Sequence, residues 1–73
     1  MLNATNTINI QVNGEPQTCP ELISLSKLLT ILELNPRLIA VEYNGEILHR
    51  QYWDQTRMQL GDCLEIVTIV GGG

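Results

Sequence analysis

From Ile8 the chain alternates. Ile8, Ile10 and Val12 are apolar, and Asn9 and Gln11 between them are polar. A period of two with the apolar positions on one side predicts a strand with one buried face. Asn13-Gly14 follows, a pair that readily takes the two positive φ values of a type I′ hairpin turn. The return strand is predicted from about Glu15 to Cys19, closed by Pro20, which cannot donate to a ladder. The period then changes. Leu25, Leu28, Leu29 and Leu32 recur at helical spacing and form one apolar stripe. Ser24 stands before them as a predicted N-cap, its hydroxyl placed to accept from first-turn amides. Asn35-Pro36 predicts the end of the helix after about three turns, because the residue before proline is driven out of the α region.

Leu38 to Tyr43 is rich in apolar and β-favouring residues and reads as a third strand. Asn44-Gly45 supplies a second tight turn into a short strand at Glu46 to Leu48. Gln51-Tyr52-Trp53-Asp54 reads as an irregular or single-turn segment, with Trp53 as a lid on one end of the core. Leu60-Gly61-Asp62 is a turn into the last strand, Leu64 to Val70. That run is almost continuously apolar, which predicts a central strand covered on both faces. The order is ββαββ, an α+β chain whose leucine stripe needs a sheet to cover. Residues 1–6 are polar and read as a loose N-terminus. There is no internal repeat and no linker, so residues 1–73 are predicted to form one domain.

Composition narrows the functions available. The chain has 73 residues and a formal net charge of −4. A domain of this size buries only about 60% of the surface its unfolded chain exposes. It has room for one thin core and little room for an enclosed active site. It contains no Phe, so the core must be built mainly from Leu, Ile and Val. Eight acidic residues against four basic ones argue against a nucleic-acid partner and against anionic membrane surfaces. Lys27, Arg37, Arg50 and Arg57 are scattered, and Tyr43, Tyr52 and Trp53 have no basic patch beside them to make a stacking surface. No apolar run reaches membrane-spanning length. Cys19 and Cys63 read as reduced, partly buried thiols, and no C-x-x-C pair or Cys/His cluster predicts a zinc site. The first residues lack the basic and apolar regions of a signal peptide. His49 reads as a lone, solvent-exposed histidine, and Asp54 and Asp62 as turn residues.

The remaining feature is Gly71-Gly72-Gly73. Three glycines after an apolar strand make no side-chain contacts and carry high conformational entropy when unfolded. A frayed terminus is the plain reading. The sharper one uses the missing Cβ, which lets backbone enter a narrow channel. Extended, three residues reach roughly 10 Å, enough to put the Gly73 carboxylate inside a partner's active site, with Gly71 and Gly72 threaded behind it. A free carboxylate is a poor acylating agent. Transfer to AMP makes a mixed anhydride with a good leaving group, which a sulfur nucleophile can attack. The carrier itself then needs no catalytic residue, no metal and no resident cofactor, and ATP is used by the partner. By alternation Val67 and Ile69 share the face opposite Ile66 and Thr68. Together with Glu65 at its polar edge they form a candidate docking patch, the alternative being ordinary exposed aliphatics.

These residues carry a family resemblance over nearly the whole chain. The carriers are Ile8-Asn9-Ile10-Gln11-Val12-Asn13-Gly14, the leucine-rich helix, and Val41-Glu42-Tyr43-Asn44-Gly45-Glu46-Ile47-Leu48-His49-Arg50. The strongest part is Gly61-Asp62-Cys63-Leu64-Glu65-Ile66-Val67-Thr68-Ile69-Val70-Gly71-Gly72-Gly73. The chain resembles the ThiS family, the bacterial and plastid sulfur carriers of thiamine biosynthesis. The resemblance implies a ubiquitin-like β-grasp fold, a mixed sheet with two parallel central strands and one main helix packed across it. It implies that an E1-like adenylating enzyme of the ThiF type activates Gly73. A sulfur donor such as a cysteine desulfurase then supplies the sulfur, and the resulting thiocarboxylate passes it to a thiazole synthase of the ThiG type. It implies a cytoplasmic or plastid-stromal protein that is a co-substrate and not an enzyme. Two departures stand out: His49 where the family often has proline before Arg50, and Cys19-Pro20-Glu21-Leu22-Ile23, which lengthens the approach to the helix. Two other functions remain open at this level: the small subunit of molybdopterin synthase, with the same tail chemistry, and a non-covalent ubiquitin-like binding module.

Overall fold

The alternating run at the start is strand β1, Thr7–Val12, with Ile8 and Ile10 buried and Thr7, Asn9 and Gln11 exposed. The computed structural model describes residues 6–69. β1 turns through Asn13 and Gly14 at φ 53° and 81°, the doubly left-handed geometry that matches the twist of a hairpin. It pairs antiparallel with β2, Glu15–Pro20, in a register that sets Val12 opposite Glu15 and Ile8 opposite Cys19. Cys19 is the one buried side chain of β2.

Helix α1 spans Leu25–Ile31. Ser24 sits in extended backbone before it and its hydroxyl accepts from the Lys27 amide at 3.1 Å, as an N-cap should. Leu25, Leu28 and Leu29 are buried and join Ile8, Ile10, Val41, Leu64 and Ile66 in one core. The helix stops sooner than Asn35-Pro36 predicts, after seven residues. Glu33 takes φ 62°, its amide donates to Thr30 O at 3.0 Å, and the Leu34 amide donates to Leu29 O at 3.0 Å. That pair of bonds is a Schellman closure. Its left-handed residue is a glutamate, so the usual glycine signal is missing from the sequence. Asn35-Pro36 begins a separate 3-10 turn, Pro36–Leu38, whose Arg37 amide is capped by Asn35 Oδ1 at 2.9 Å.

The remaining strands are β3, Ile39–Tyr43, β4, Glu46–Ile47, and β5, Cys63–Thr68. The sheet order is β2-β1-β5-β3-β4. Among the described residues there are five strands, the short β4 being the one predicted at Glu46 to Leu48, which the shorthand ββαββ leaves out. β1 and β5 are parallel neighbours at the centre, and β5 is antiparallel to β3. This is the β-grasp arrangement: a mixed sheet with one main helix across one face. Between β4 and β5 the chain makes a 3-10 turn at Arg50–Tyr52. Trp53 is 3% exposed, and its indole donates to Leu48 O at 2.9 Å. It closes one end of the core as predicted. Met58 is fully buried, held by backbone bonds between its amide and Ile23 O and between Leu22 N and its carbonyl.

Candidate functional site

The site begins with how β5 is held, since it is the last strand before the glycines. Gly71, Gly72 and Gly73 lie outside the described residues. β1 runs beside β5 only at Gln11 and Val12 before it turns away. Asn13 then continues the pairing with its side chain. Its Oδ1 accepts from the Ile66 amide at 2.7 Å and its Nδ2 donates to Ile66 O at 3.1 Å. The carboxamide stands in for one more peptide unit of β1. Asn44 does a related thing from the other turn, where φ is 52°. Its Oδ1 accepts from the Cys63 amide at 2.7 Å, and its own amide donates to Cys63 O at 2.8 Å. Each Asn-Gly pair is therefore a turn and a clasp on β5. The turn chemistry was legible in the sequence. The clasp was not, because it depends on which strand lies alongside.

Asp62 precedes β5 and is the buried charged residue among those described, 7% exposed. It accepts from Tyr43 Oη at 2.7 Å, from Asn44 Nδ2 at 3.2 Å and from the Gln59 amide at 2.8 Å. Three donors satisfy a carboxylate that burial would otherwise penalise. The residue is more than a turn former: it ties the start of β5 to the end of β3. Burial, this hydrogen bond and the carboxylate charge push the Tyr43 hydroxyl up to about 12. The Tyr43 hydroxyl is thereby occupied.

β5 has one covered face. Leu64 and Ile66 are buried, while Cys63, Glu65 and Val67 are exposed, as is Ile69 beyond the strand. Val67 is 59% and Ile69 51% exposed. The near-continuous apolar run predicts cover on both faces, but among the described residues there is one α-helix and it covers one side. Glu65 and Val67 alternate onto the outer face, as the period of two predicts; Ile69, beyond the strand, is exposed and lines a different cavity. Ala40 lies opposite Val67 and Glu42 opposite Glu65. Ile47, 69% exposed, lines a shallow outer-face groove of about 190 Å³ with Ala40, Glu65 and Val67. Two carboxylates directly opposite one another disfavour folding by a few tenths of a kcal/mol. The outer face thus combines an apolar strip with a pair of acidic side chains.

The basic side chains that lie apart in sequence partly converge. Arg37, His49 and Arg50 line one cavity of about 340 Å³ with Ile39, Trp53 and Ile69. Lys27 and Arg57 do not line it. His49 is exposed, as predicted. The two thiols differ more than predicted. Cys19 is buried and Cys63 exposed, and both are free. Burial first, then the Asp62 charge, pushes the Cys19 thiol up from its ordinary value. Among the described residues no three His, Cys, Asp or Glu side chains are grouped as a metal ion would require.

Comparison with known proteins places these features in context. The model of the ThiS family matches residues 10–73. A protein of Porphyra purpurea called uncharacterized protein ycf40 is 46% identical over 66 residues, covering 90% of this chain and 93% of that protein. A thiazole synthase of Paramagnetospirillum magneticum is 35% identical over 66 residues, covering 90% of this chain and 20% of the longer protein. The crystal structure of the thiamine biosynthesis protein ThiS from Geobacter metallireducens superposes with a TM-score of 0.80 at 36% identity, over 90% of this chain and all of that one.

Proposed function

Because the chain belongs to the ThiS family, the sulfur carriers of thiamine biosynthesis, we propose that the Gly73 carboxylate is the group that is activated and loaded with sulfur. A carboxylate oxygen of Gly73 attacks the α-phosphorus of ATP in an E1-like enzyme of the ThiF type, and pyrophosphate leaves. The acyl adenylate is then attacked at its carbonyl by a persulfide sulfur, and AMP leaves. A thiol breaks the resulting S–S bond, forming a disulfide on the donor side and freeing the thiocarboxylate on Gly73. Each step divides a hard substitution into easier ones. The carrier contributes a threadable backbone at Gly71 and Gly72 and a rigid strand behind them.

The observation that carries this reading is the anchoring of β5. A strand clasped at Cys63 and Ile66 and paired on both sides supports the reading of a rigid body that offers its C-terminal end to an enzyme. Family members engage enzymes of the ThiF and ThiG types. For this chain we assign the outer face to their docking, with Val67 and Ile69 as the apolar contact and Glu65 at its edge. The Glu42–Glu65 pair supports a partner surface carrying basic side chains, which relieves the like-charge opposition on binding. The presence of a matching segment within a protein named thiazole synthase supports thiazole synthase as the acceptor, and we assign the supply of sulfur to a donor such as a cysteine desulfurase. We assign the protein to the cytoplasm or the plastid stroma.

The test is intact-mass measurement after incubation with ATP, a cysteine desulfurase with cysteine, and the adenylating enzyme. The mass should rise by the replacement of one oxygen with sulfur. Deleting Gly73, or adding one residue after it, should abolish that change with the unfolding midpoint unaltered. Loading of the extended chain would refute the terminal mechanism. Val67→Asp and Ile69→Asp should fold normally and weaken partner binding. Unchanged binding would remove the outer face from the docking role while leaving the loading chemistry standing.

A further inference from the structure

β2 is an end strand of the sheet, and it is six residues long. The strand at the other end, β4, has only two residues. A short end strand gives another chain little to pair with, but a long one is a ready template. Whether β2 can act as one depends on where its backbone groups point.

The hairpin fixes their direction. Antiparallel pairs alternate between those that exchange backbone bonds and those that do not, and a two-residue turn is closed by a bonded pair. Here that pair is Val12 and Glu15. The phase makes Ile10–Gln17 and Ile8–Cys19 bonded as well, and the Glu21 amide continues it by donating to Asn6 O at 2.8 Å. The other side of β1 agrees. The Gln11 amide donates to Asp62 O and Asn9 O accepts from the Gly61 amide, both at 2.9 Å, so these residues spend their backbone groups away from β2. Thr7, Asn9 and Gln11 stand opposite Pro20, Thr18 and Pro16, and the backbone groups of those three β2 residues point out of the sheet. Two of the three have no N–H to offer. The Pro20 carbonyl is already taken by the Ile23 amide at 3.3 Å. Pro16 and Thr18 are exposed, and the outward side of β2 holds one donor, the Thr18 amide. Both prolines occupy positions that owe no bond to β1, so they remove outward donors without weakening the hairpin.

We propose that Pro16 and Pro20 block this edge against a second copy of the chain. Two copies that meet antiparallel at β2 bring one donor each, so at most two main-chain bonds join them in any register. With N–H groups at positions 16 and 20, the register that sets Thr18 opposite its own equivalent would pair 16 with 20 as well. The two sheets would then continue into one another across a closed, two-fold interface. The inference concerns β2 alone and does not rest on the carrier reading.

The test uses the full chain carrying Pro16→Thr and Pro20→Thr, with sedimentation followed from micromolar to millimolar concentration. The parent should keep the mass of one chain throughout. The double variant should move to the mass of two as concentration rises, with self-association at least about tenfold tighter and amide exchange at Thr18 slowing in step. Adding Thr18→Lys should restore the single chain, because lysines then face each other at the centre of the pair. Unfolding followed by Trp53 fluorescence shows whether the variants are folded. Pro16→Thr alone, which leaves the turn at Pro20 intact, carries the test where the double variant is not. A folded variant that remains a single chain at millimolar concentration overturns the proposal. So does a parent that already pairs with Thr18 protected, or a variant dimer in which Thr18 exchanges as fast as in the parent. None of these readouts involves Gly73, so failure here leaves the sulfur-loading test untouched.

Discussion

Replacing Asn13 with glycine isolates what its side chain does. Glycine accepts the φ of 53° that the hairpin requires, so the turn survives and only the carboxamide is lost. With it go two hydrogen bonds, 2.7 Å from the Ile66 amide and 3.1 Å to the Ile66 carbonyl. A bond of this type contributes about 0.5–1.5 kcal/mol net, and two give about 1–3 kcal/mol. The site is part-buried, so water partly replaces the lost partners, and about 1–2 kcal/mol is expected. Asn13→Ala removes the same bonds and also puts a Cβ at positive φ, for about 1 kcal/mol more. A chain of 73 residues has only about 4–11 kcal/mol of stability in total, so either change is easily measured. Trp53 is the only tryptophan and is 3% exposed, which makes its fluorescence a reporter of core opening. Urea unfolding followed by that signal gives the stability by linear extrapolation. Amide exchange at Ile66 should accelerate most in both variants. The reasoning is refuted if Asn13→Gly lies within about 0.5 kcal/mol of the parent, the range of ordinary surface changes. It is also refuted if Ile66 exchange is unaltered.

Three further expectations follow from the described residues. Glu33→Gly should raise stability by about 1 kcal/mol, because the C-terminal closure of α1 needs a left-handed residue and glutamate holds that conformation at a cost; a thermal melt should rise by about 4–8 °C. Tyr43 has its hydroxyl pushed from 10 to about 12 in the folded chain, so the native state favours its protonated form. The stability from this group is complete below about pH 10 and is lost as pH rises through about 12, a loss that Tyr43→Phe should remove when the two melts are compared across that range. In thiol titration with a disulfide reagent, Cys63 should react at once and Cys19 only on unfolding, since the first is exposed and the second buried; two fast thiols in the native protein would contradict the packing of β2.

Much of this fold is readable from spacing because its local devices are strong. The alternation in β1, the leucine stripe of α1, the Ser24 cap and both Asn-Gly turns each act over a few residues, and each stands where the pattern puts it. What was illegible depends on neighbours distant in sequence. The end of α1 rests on Glu33 adopting a conformation that glutamate disfavours, so no local signal announces it. Asp62 reads as a turn residue until Tyr43 and Asn44, on the far side of the sheet turn, are seen to donate to it. The outer face of β5 looks like core in sequence because exposed and buried apolar residues read alike there. The convergence of Arg37 with Arg50 needs the path of the chain around β4. The Gly71-Gly72-Gly73 tail is the opposite case: its role is an expectation from glycine and carboxylate chemistry, and it lies outside the described residues.

The clasped strand also has a mechanical side. β5 runs parallel to β1 at the sheet centre and antiparallel to β3, so a pull on the C-terminal end runs along the strand and not across it. The inter-strand bonds, with those from Asn13 and Asn44, then share the load together, in shear, where a peeled edge strand would give them up one at a time. On the proposed reading, in which an enzyme takes hold of the C-terminal end, such a strand lets the domain leave the encounter folded.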